Sequence, residues 1–163
     1  MNVMIFLGSE SDFEIVEDAL KIFKEFGVSF ALEVTSAHRS PDRTLALVKE
    51  AEARGAEVFI AVAGKAAHLA GVVAARTVRP VIRVPVESPP LAGMDALFST
   101  VQMPKGIPVA AMALGKPGGS NAALFAVEIL ALKNEDLRRK LADYRTRMAS
   151  AVEAGSKKVQ EKL

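Results

Sequence analysis

The sequence predicts an α/β protein in which helices cover a parallel sheet. Short runs rich in β-branched and aromatic residues alternate with helical patterns along most of the chain, which is typical of βαβ units. One run, residues 58–63, is apolar throughout, as expected of a central strand that is covered on both faces. With 163 residues, half of them hydrophobic, the chain is long enough to bury the core of one domain.

Five strands are predicted in chain order, and each is a short apolar run. They cover residues 3–7, 30–34, 58–63, 81–84 and 109–114. In a parallel sheet the loops that follow the strands meet along one edge, where ligands bind. We therefore expect the polar segments directly after the first and second strands to lie close together.

Helices are predicted between the strands. Apolar residues recur at three- and four-residue spacing from Phe13 to Phe23, which predicts a first helix with a buried stripe. Ser40 followed by Pro41 predicts the start of a second helix that runs to about residue 53, and Ser120 is the expected cap of a helix over residues 121–132. Proline and glycine in residues 85–94 and 115–120 predict two irregular loops.

The last predicted element is an amphipathic helix over residues 136–163. Its apolar side chains form a seam: Leu137, Leu141, Tyr144, Met148 and Ala151. Such a seam needs a surface to cover it. Contact with another subunit and packing on its own domain are both compatible with the pattern. Since no linker or repeat divides the chain, a single domain over residues 1–163 is expected.

Composition and charge exclude several classes of protein. The chain has no cysteine, so disulfides and thiolate chemistry are excluded, and a reducing cytoplasm is expected. Residues 136–163 carry eight Lys/Arg against four Asp/Glu, which leaves the rest of the chain slightly acidic and argues against a nucleic-acid partner. There is no leader-like segment and no apolar run near the ~20 residues that span a bilayer, so no membrane partner is expected.

The segment 8–12, GSESD, lies between the first strand and the first helix. Ser9 and Ser11 place two hydroxyl groups where the free N–H groups of a helix N-terminus favour an anion, and phosphate is the natural ligand. A turn with a helix cap is the alternative. The segment has one glycine and lacks the three spaced glycines of the dinucleotide-binding fingerprint.

The segment 36–41, SAHRSP, follows the second strand. His38 lies there outside any apolar stripe, a position suited to proton transfer, and the Arg39 guanidinium can bind phosphate through two hydrogen bonds. A surface His–Arg pair before a helix is the alternative. His68 lies near the start of the helix after the third strand, where a histidine is more often structural. Two histidines with no carboxylate cluster at ligand spacing predict no metal site.

Together, these segments resemble the phosphoribosylaminoimidazole carboxylase family of purine biosynthesis, whose bacterial-type members are 5-(carboxyamino)imidazole ribonucleotide mutases. The resemblance covers residues 3–133. It depends on the order and spacing of GSESD at 8–12, SAHR at 36–39, AAHL at 66–69, VQMP at 101–104 and NAAL at 121–124.

The resemblance implies a flavodoxin-like three-layer α/β/α fold, with a five-stranded parallel sheet and an added C-terminal helix. It also implies a homo-octamer with sites between subunits, a small ribonucleotide as substrate and no cofactor. The implied reaction moves a carboxylate from the exocyclic nitrogen of the aminoimidazole to a ring carbon, through carbon dioxide released and recaptured in the site.

The resemblance also assigns residues to the site. His38 is the implied general acid and base. The implied substrate-binding residues are Ser9, Ser11, Asp12, Ser36, Arg39, Gly64, Ala66, His68 and Leu69. The chain departs from the family pattern at Lys65, Ala70, Arg83 and Glu87.

Two other functions stay open. A second class of the family carboxylates free aminoimidazole ribonucleotide directly with carbon dioxide. A non-catalytic nucleotide-binding module of the same fold would need the phosphate contacts but not His38.

Overall fold

The computed structural model describes residues 1–163 and contains five strands and six α-helices. The strands are β1 (Val3–Leu7), β2 (Phe30–Val34), β3 (Val58–Gly64), β4 (Val81–Val86) and β5 (Ala110–Ala111). The helices are α1 (Phe13–Phe26), α2 (Pro41–Ala53), α3 (Leu69–Ala74), α4 (Met94–Val101), α5 (Gly115–Ala131) and α6 (Glu135–Gln160). A single 3-10 turn, Glu10–Asp12, precedes α1.

All five strands are parallel and lie in the order β2-β1-β3-β4-β5. Val3 of β1 lies in register with Phe30 of β2 on one side and with Val58 of β3 on the other. The chain therefore moves outward from β1 to β2 and then returns to the opposite side of β1. In sheets of this type the crevice for a ligand lies at such a reversal.

The core lies around the middle strands. Every residue of β1 is buried, as are the first six residues of β3, which confirms β3 as a central strand. The rings of Phe6 and Phe59 stack at 6.0 Å between centroids, and Val48 of α2 and Val73 of α3 belong to the same buried cluster. Burying large apolar side chains in this way is worth about 1.5–3 kcal/mol each.

The first two helices follow the sequence pattern except at Phe13, the first residue of the predicted stripe, which is 43% exposed. α1 buries Val16, Phe23 and Phe26 on one side, and it ends at Gly27, whose φ of 73° is in the left-handed region that glycine tolerates. α2 begins at Pro41 and ends at residue 53, as predicted. Proline suits the first turn because the N–H that it lacks has no partner within the helix there.

The loop predicted over residues 115–120 is wrong, because α5 is already helical from Gly115. Pro117 falls in the first turn, where a missing N–H costs little. The glycine at position 119 serves packing: a Cβ there would collide with the main-chain oxygen of Ile15 in α1. Ser120 therefore lies inside the helix and does not cap it.

The loop predicted over residues 85–94 is only partly right. Pro85 still belongs to β4, and Met94 begins α4. β5 pairs with β4 only at Ile82 and Arg83, so no ladder partner needs the absent N–H of Pro85 on that side. β5 itself has two paired residues, instead of the six predicted over residues 109–114.

The chain divides into two compact units, Met1–Val127 and Glu128–Leu163. In the second unit, the Asn134 side chain caps α6 by accepting a hydrogen bond from the Leu137 N–H at 3.1 Å. Leu137 and Leu141 of the predicted seam are buried, whereas Met148 is 54% exposed. The single domain over residues 1–163 stays a prediction. None of the helices combines the length and the apolar character needed to cross a membrane.

Candidate active site

A cavity of about 730 Å³ opens at the carboxyl ends of β1 to β4. Its wall is built from the residues that follow four different strands. All ten predicted site residues line it: Ser9, Ser11, Asp12, Ser36, His38, Arg39, Gly64, Ala66, His68 and Leu69. The sheet therefore brings together segments that are up to sixty residues apart in the sequence, as the parallel arrangement predicts.

The segment after β1 is held by its own polar groups. The Asp12 carboxylate accepts a hydrogen bond from the Ser9 N–H at 3.0 Å, and the Ser11 hydroxyl lies 3.0 Å from the Ser9 hydroxyl. Gly8 begins the segment because a Cβ there would lie 2.9 Å from the Cβ of Ala63. The close approach of β1 and β3 thus requires a glycine at this position. The hydroxyl groups of Ser9 and Ser11, which follow it in the chain, lie at the cavity wall.

The segment after β2 is fixed to the start of α2. The Ser40 hydroxyl accepts a hydrogen bond from the Ser36 N–H at 3.0 Å, and the Ser36 hydroxyl accepts one from the Arg39 N–H at 3.1 Å. The Arg39 guanidinium reaches across to donate a hydrogen bond to the Gly8 carbonyl at 3.3 Å. This places a cation beside the hydroxyl groups of Ser9 and Ser11, on the same wall of the cavity.

The two histidines of the chain meet in this cavity. Nε2 of His38 lies 2.8 Å from Nδ1 of His68, and the two rings are nearly perpendicular at 81°. Such a bond contains one proton between the facing nitrogens, so one ring donates and the other accepts. The pair can therefore orient one imidazole while the other transfers a proton. From the sequence, His68 is interpreted as a structural residue. The observed contact instead makes it the hydrogen-bond partner of His38.

Beneath the cavity lies a buried charge. Arg83 of β4 is fully buried and donates a hydrogen bond from Nη2 to the Ala63 carbonyl at 2.6 Å. Burial lowers its pKa to about 10, and the negative charge of Asp12 opposes this shift. Burial also raises the pKa of Asp12 above its ordinary value, against the Ser9 hydrogen bond and the Arg83 charge. Each of the two opposite charges favours the ionised form of the other.

The cavity also has lining residues that the sequence did not assign to it. Among them are Ile15, Lys65, Val86, Glu87 and Ser88. Lys65 directly follows β3, and Glu87 directly follows β4. These positions at the strand ends could have identified both as lining residues from the sequence. The Ser88 hydroxyl is buried with no hydrogen-bond partner. No group of three or more His, Asp or Glu side chains is arranged to hold a metal ion.

A cavity at the strand ends of a parallel α/β sheet, lined by apolar surface and a few polar side chains, is the arrangement of a small-molecule-binding α/β protein. Comparisons with known proteins identify the family. The chain matches the family model described as AIR carboxylase over residues 2–151. It is 52% identical over 159 residues to an N5-carboxyaminoimidazole ribonucleotide mutase of Methanocaldococcus jannaschii, covering 98% of each chain. The protein of that name from Escherichia coli K12 is 48% identical over 143 residues, covering 88% of this chain and 85% of that protein.

Structural similarity gives the same result. The crystal structure of Treponema denticola PurE matches with a TM-score of 0.86 at 30% identity, covering 96% of both chains. The chain therefore belongs to the AIR carboxylase family, which confirms the resemblance found in the motifs. The flavodoxin-like α/β fold with its five-stranded parallel sheet is confirmed as well.

Proposed function

We propose that this protein is an N5-carboxyaminoimidazole ribonucleotide mutase of purine biosynthesis. It converts 5-(carboxyamino)imidazole ribonucleotide into 5-amino-1-(5-phosphoribosyl)imidazole-4-carboxylate. The observation that carries the proposal is the hydrogen-bonded pair of His38 and His68, in a cavity that also holds two hydroxyl groups and a guanidinium. Relatives about half identical over most of the chain have this name, which supports the mutase over the carboxylase.

The polar wall of the cavity suits a ribonucleotide. The hydroxyl groups of Ser9 and Ser11 and the guanidinium of Arg39 form a cluster of donors, and such a cluster binds the phosphate. The Asp12 carboxylate is an acceptor and takes hydrogen bonds from the ribose hydroxyls. Ser36 supports the loop that presents Arg39. These assignments place the phosphate and the ribose on the β1 and β2 side of the cavity.

The base then faces the histidine pair. His38 protonates the exocyclic nitrogen as its bond to the carboxylate carbon breaks and carbon dioxide leaves. The ring carbon attacks that carbon dioxide, and the proton of the same ring carbon passes to His38. The proton given in the first step is thus regained in the second, and the product is an isomer of the substrate. His68, through its 2.8 Å hydrogen bond, holds the His38 ring in place.

The loop after β3 confines the carbon dioxide that is released in the first step. Gly64, Ala66 and Leu69 contribute a largely apolar part of the lining beside His68. Carbon dioxide is small and neutral, so the yield depends on walls that keep it beside the ring until the new bond forms. The exposed Lys65 side chain belongs to the same loop, which places a cation at the mouth of the cavity.

The assembly and location are also part of the proposal. We assign the protein to the cytoplasm and to a homo-octamer with sites at subunit contacts. Large exposed apolar side chains support self-association, with Phe98 59%, Val101 47% and Val152 74% exposed. Analytical ultracentrifugation tests the octamer directly, since a monomer of 17.3 kDa is far from an assembly of eight chains.

One assay tests the reaction. Purified protein receives freshly prepared 5-(carboxyamino)imidazole ribonucleotide without ATP, metal or added bicarbonate, and formation of the carbon-carboxylated product is followed. Rapid conversion is expected. Product formed only from aminoimidazole ribonucleotide with bicarbonate would favour the carboxylase instead, and binding without turnover of either substrate would favour the non-catalytic module.

The His38→Asn variant tests the role of the histidine. We expect it to fold and to bind nucleotide while turnover falls by about 10²–10⁴-fold, the usual contribution of a general acid–base group. The matched control is Lys49→Gln on the exposed side of α2, outside the cavity, which should leave turnover unchanged. Normal turnover in His38→Asn would remove this residue from the mechanism.

A further inference from the structure

A single arginine lies in the interior of the sheet, under the candidate site. Arg83 is in the middle of β4, and in register beside it are Ala61 of β3 and Ala111 of β5. These small neighbours on both adjacent strands leave room for a long side chain. Arg83 is fully buried, and the rest of β4 is apolar. It is therefore a charge enclosed within an apolar layer.

The hydrogen bonds of Arg83 do not account for its presence. Nη2 donates to the Ala63 carbonyl, whereas Nε and Nη1 are buried without a partner. A buried guanidinium with two unpaired donors lowers the stability of a fold. A Cβ placed on Gly8 would lie 3.5 Å from a carboxylate oxygen of Asp12 and 2.9 Å from the Cβ of Ala63. Ala63 is also the residue whose carbonyl accepts the Arg83 hydrogen bond, so Asp12 and Arg83 meet the same end of β3. The negative charge of Asp12 favours the ionised form of Arg83. The electrostatic partner of Arg83 is thus a residue of the site.

The other charged and titratable groups of the cavity differ from Arg83 in exposure. These groups are Glu14, His38, Arg39, Lys65, His68 and Glu87, and all six are exposed. Water and salt screen their effect on Asp12. Arg83 is shielded from both, and a ligand that enters the cavity cannot displace it. Arg83 therefore contributes a positive charge near Asp12 that neither salt nor ligand binding removes.

We propose that Arg83 is a positioning residue that keeps the Asp12 carboxyl ionised when a ligand excludes water from the cavity, so that it accepts hydrogen bonds from the ligand's hydroxyl groups. A ligand removes the solvation that an ionised carboxylate needs, and a buried opposite charge compensates for this loss. The identity of the ligand as a ribonucleotide rests on the proposed function. The coupling of Arg83 to Asp12 does not.

The coupling is measured without any activity. The carboxyl carbon of Asp12 is titrated by NMR in wild type and in Arg83→Met, with Asp12→Asn to assign the signal. Removing an opposite charge from the vicinity should raise the pKa of Asp12 by about one pH unit. The rise should persist in high salt, whereas Lys65→Met, which removes an exposed cation, should produce a smaller rise that salt abolishes. An unchanged Asp12 titration in Arg83→Met would overturn the proposal.

Arg83→Gln provides a second neutral variant, which retains a donor for the Ala63 carbonyl if the methionine is poorly accommodated. In both variants the acid limb of the pH profile of 1/KM should move upward by the same interval as the carboxyl titration, and KM at the acid end should rise up to about tenfold. A role in folding alone would not move that limb. If wild type fails to turn over the substrate, the proposed function fails, while the NMR titration still decides the role of Arg83.

Discussion

Replacing Arg83 by methionine should make the protein more stable. The substitution keeps a long side chain between the alanines of the neighbouring strands and removes the charge. Burial lowers the pKa of Arg83 to about 10. This is roughly 2.5 pH units below its ordinary value, which corresponds to about 3 kcal/mol of stability lost by holding the charge in the fold.

The direction in which the Arg83 charge changes the free energy of unfolding follows from proton binding in the folded and unfolded states. Above about pH 10 and up to the ordinary pKa of arginine, the unfolded chain binds more protons than the folded one, so stability rises with pH in that interval. At pH 7 the full cost is therefore present. Methionine removes it but also loses the hydrogen bond to the Ala63 carbonyl, which is worth about 1.5–3 kcal/mol for a charged donor. The expected net gain is about 1 kcal/mol, as is common when a buried ion is replaced by a hydrophobic residue.

Urea unfolding at pH 7 and a fixed protein concentration measures this gain, because any self-association makes the midpoint depend on concentration. The midpoint of Arg83→Met should rise with an unchanged slope. Arg76→Met, which removes an exposed arginine, is the control and should change the free energy of unfolding by less than about 0.5 kcal/mol. A variant less stable than wild type would show that the guanidinium stabilises the fold, and would refute the reasoning.

Three glycine and cap variants test the packing of the helices. Gly119→Ala should lose about 3 kcal/mol, since its Cβ meets the main-chain oxygen of Ile15, which cannot rotate away. Gly155→Ala, with open space around its Cβ in α6, is its control and should be neutral or slightly stabilising; thermal unfolding compares the two. Asn134→Ala should cost about 1 kcal/mol by removing the acceptor for the Leu137 N–H, and should increase amide exchange in the first turn of α6. Equal melting temperatures for the two glycine variants, or unchanged exchange in α6, would contradict these expectations.

The fold could be predicted from the sequence wherever one physical signal dominates. Apolar runs bounded by polar segments fixed β1 and β2 to the residue, and the Ser40–Pro41 pair fixed the start of α2. Prediction failed where tertiary packing overrides local preference. The start of α5 has the glycine-rich composition of a turn. Two of its glycines are nevertheless needed inside a helix, because a Cβ there would collide with a neighbouring main chain, and no local sequence pattern reveals that neighbour.

The candidate site shows the same division. Loops at the ends of parallel strands converge by topology, so the meeting of the segments after β1 and β2 could be predicted from the sequence pattern. The lining residues after β3 were predicted only through the resemblance to the family. The contact of His38 with His68 could not be predicted, because it joins loops that follow β2 and β3, and these strands lie on opposite sides of β1. The role of Arg83 was also hidden, since its alanine neighbours are known only once the register of three strands is known.

The alanine-lined slot at position 83 has a consequence for how such a protein can change over time. A residue there can gain or lose a charge without altering any side chain that lines the cavity. Mutation at this one position could therefore shift the pH range over which the site binds its ligand, while the side chains that line the cavity stay the same. In the course of evolution, a single substitution at this buried position could therefore change the electrostatics of the site.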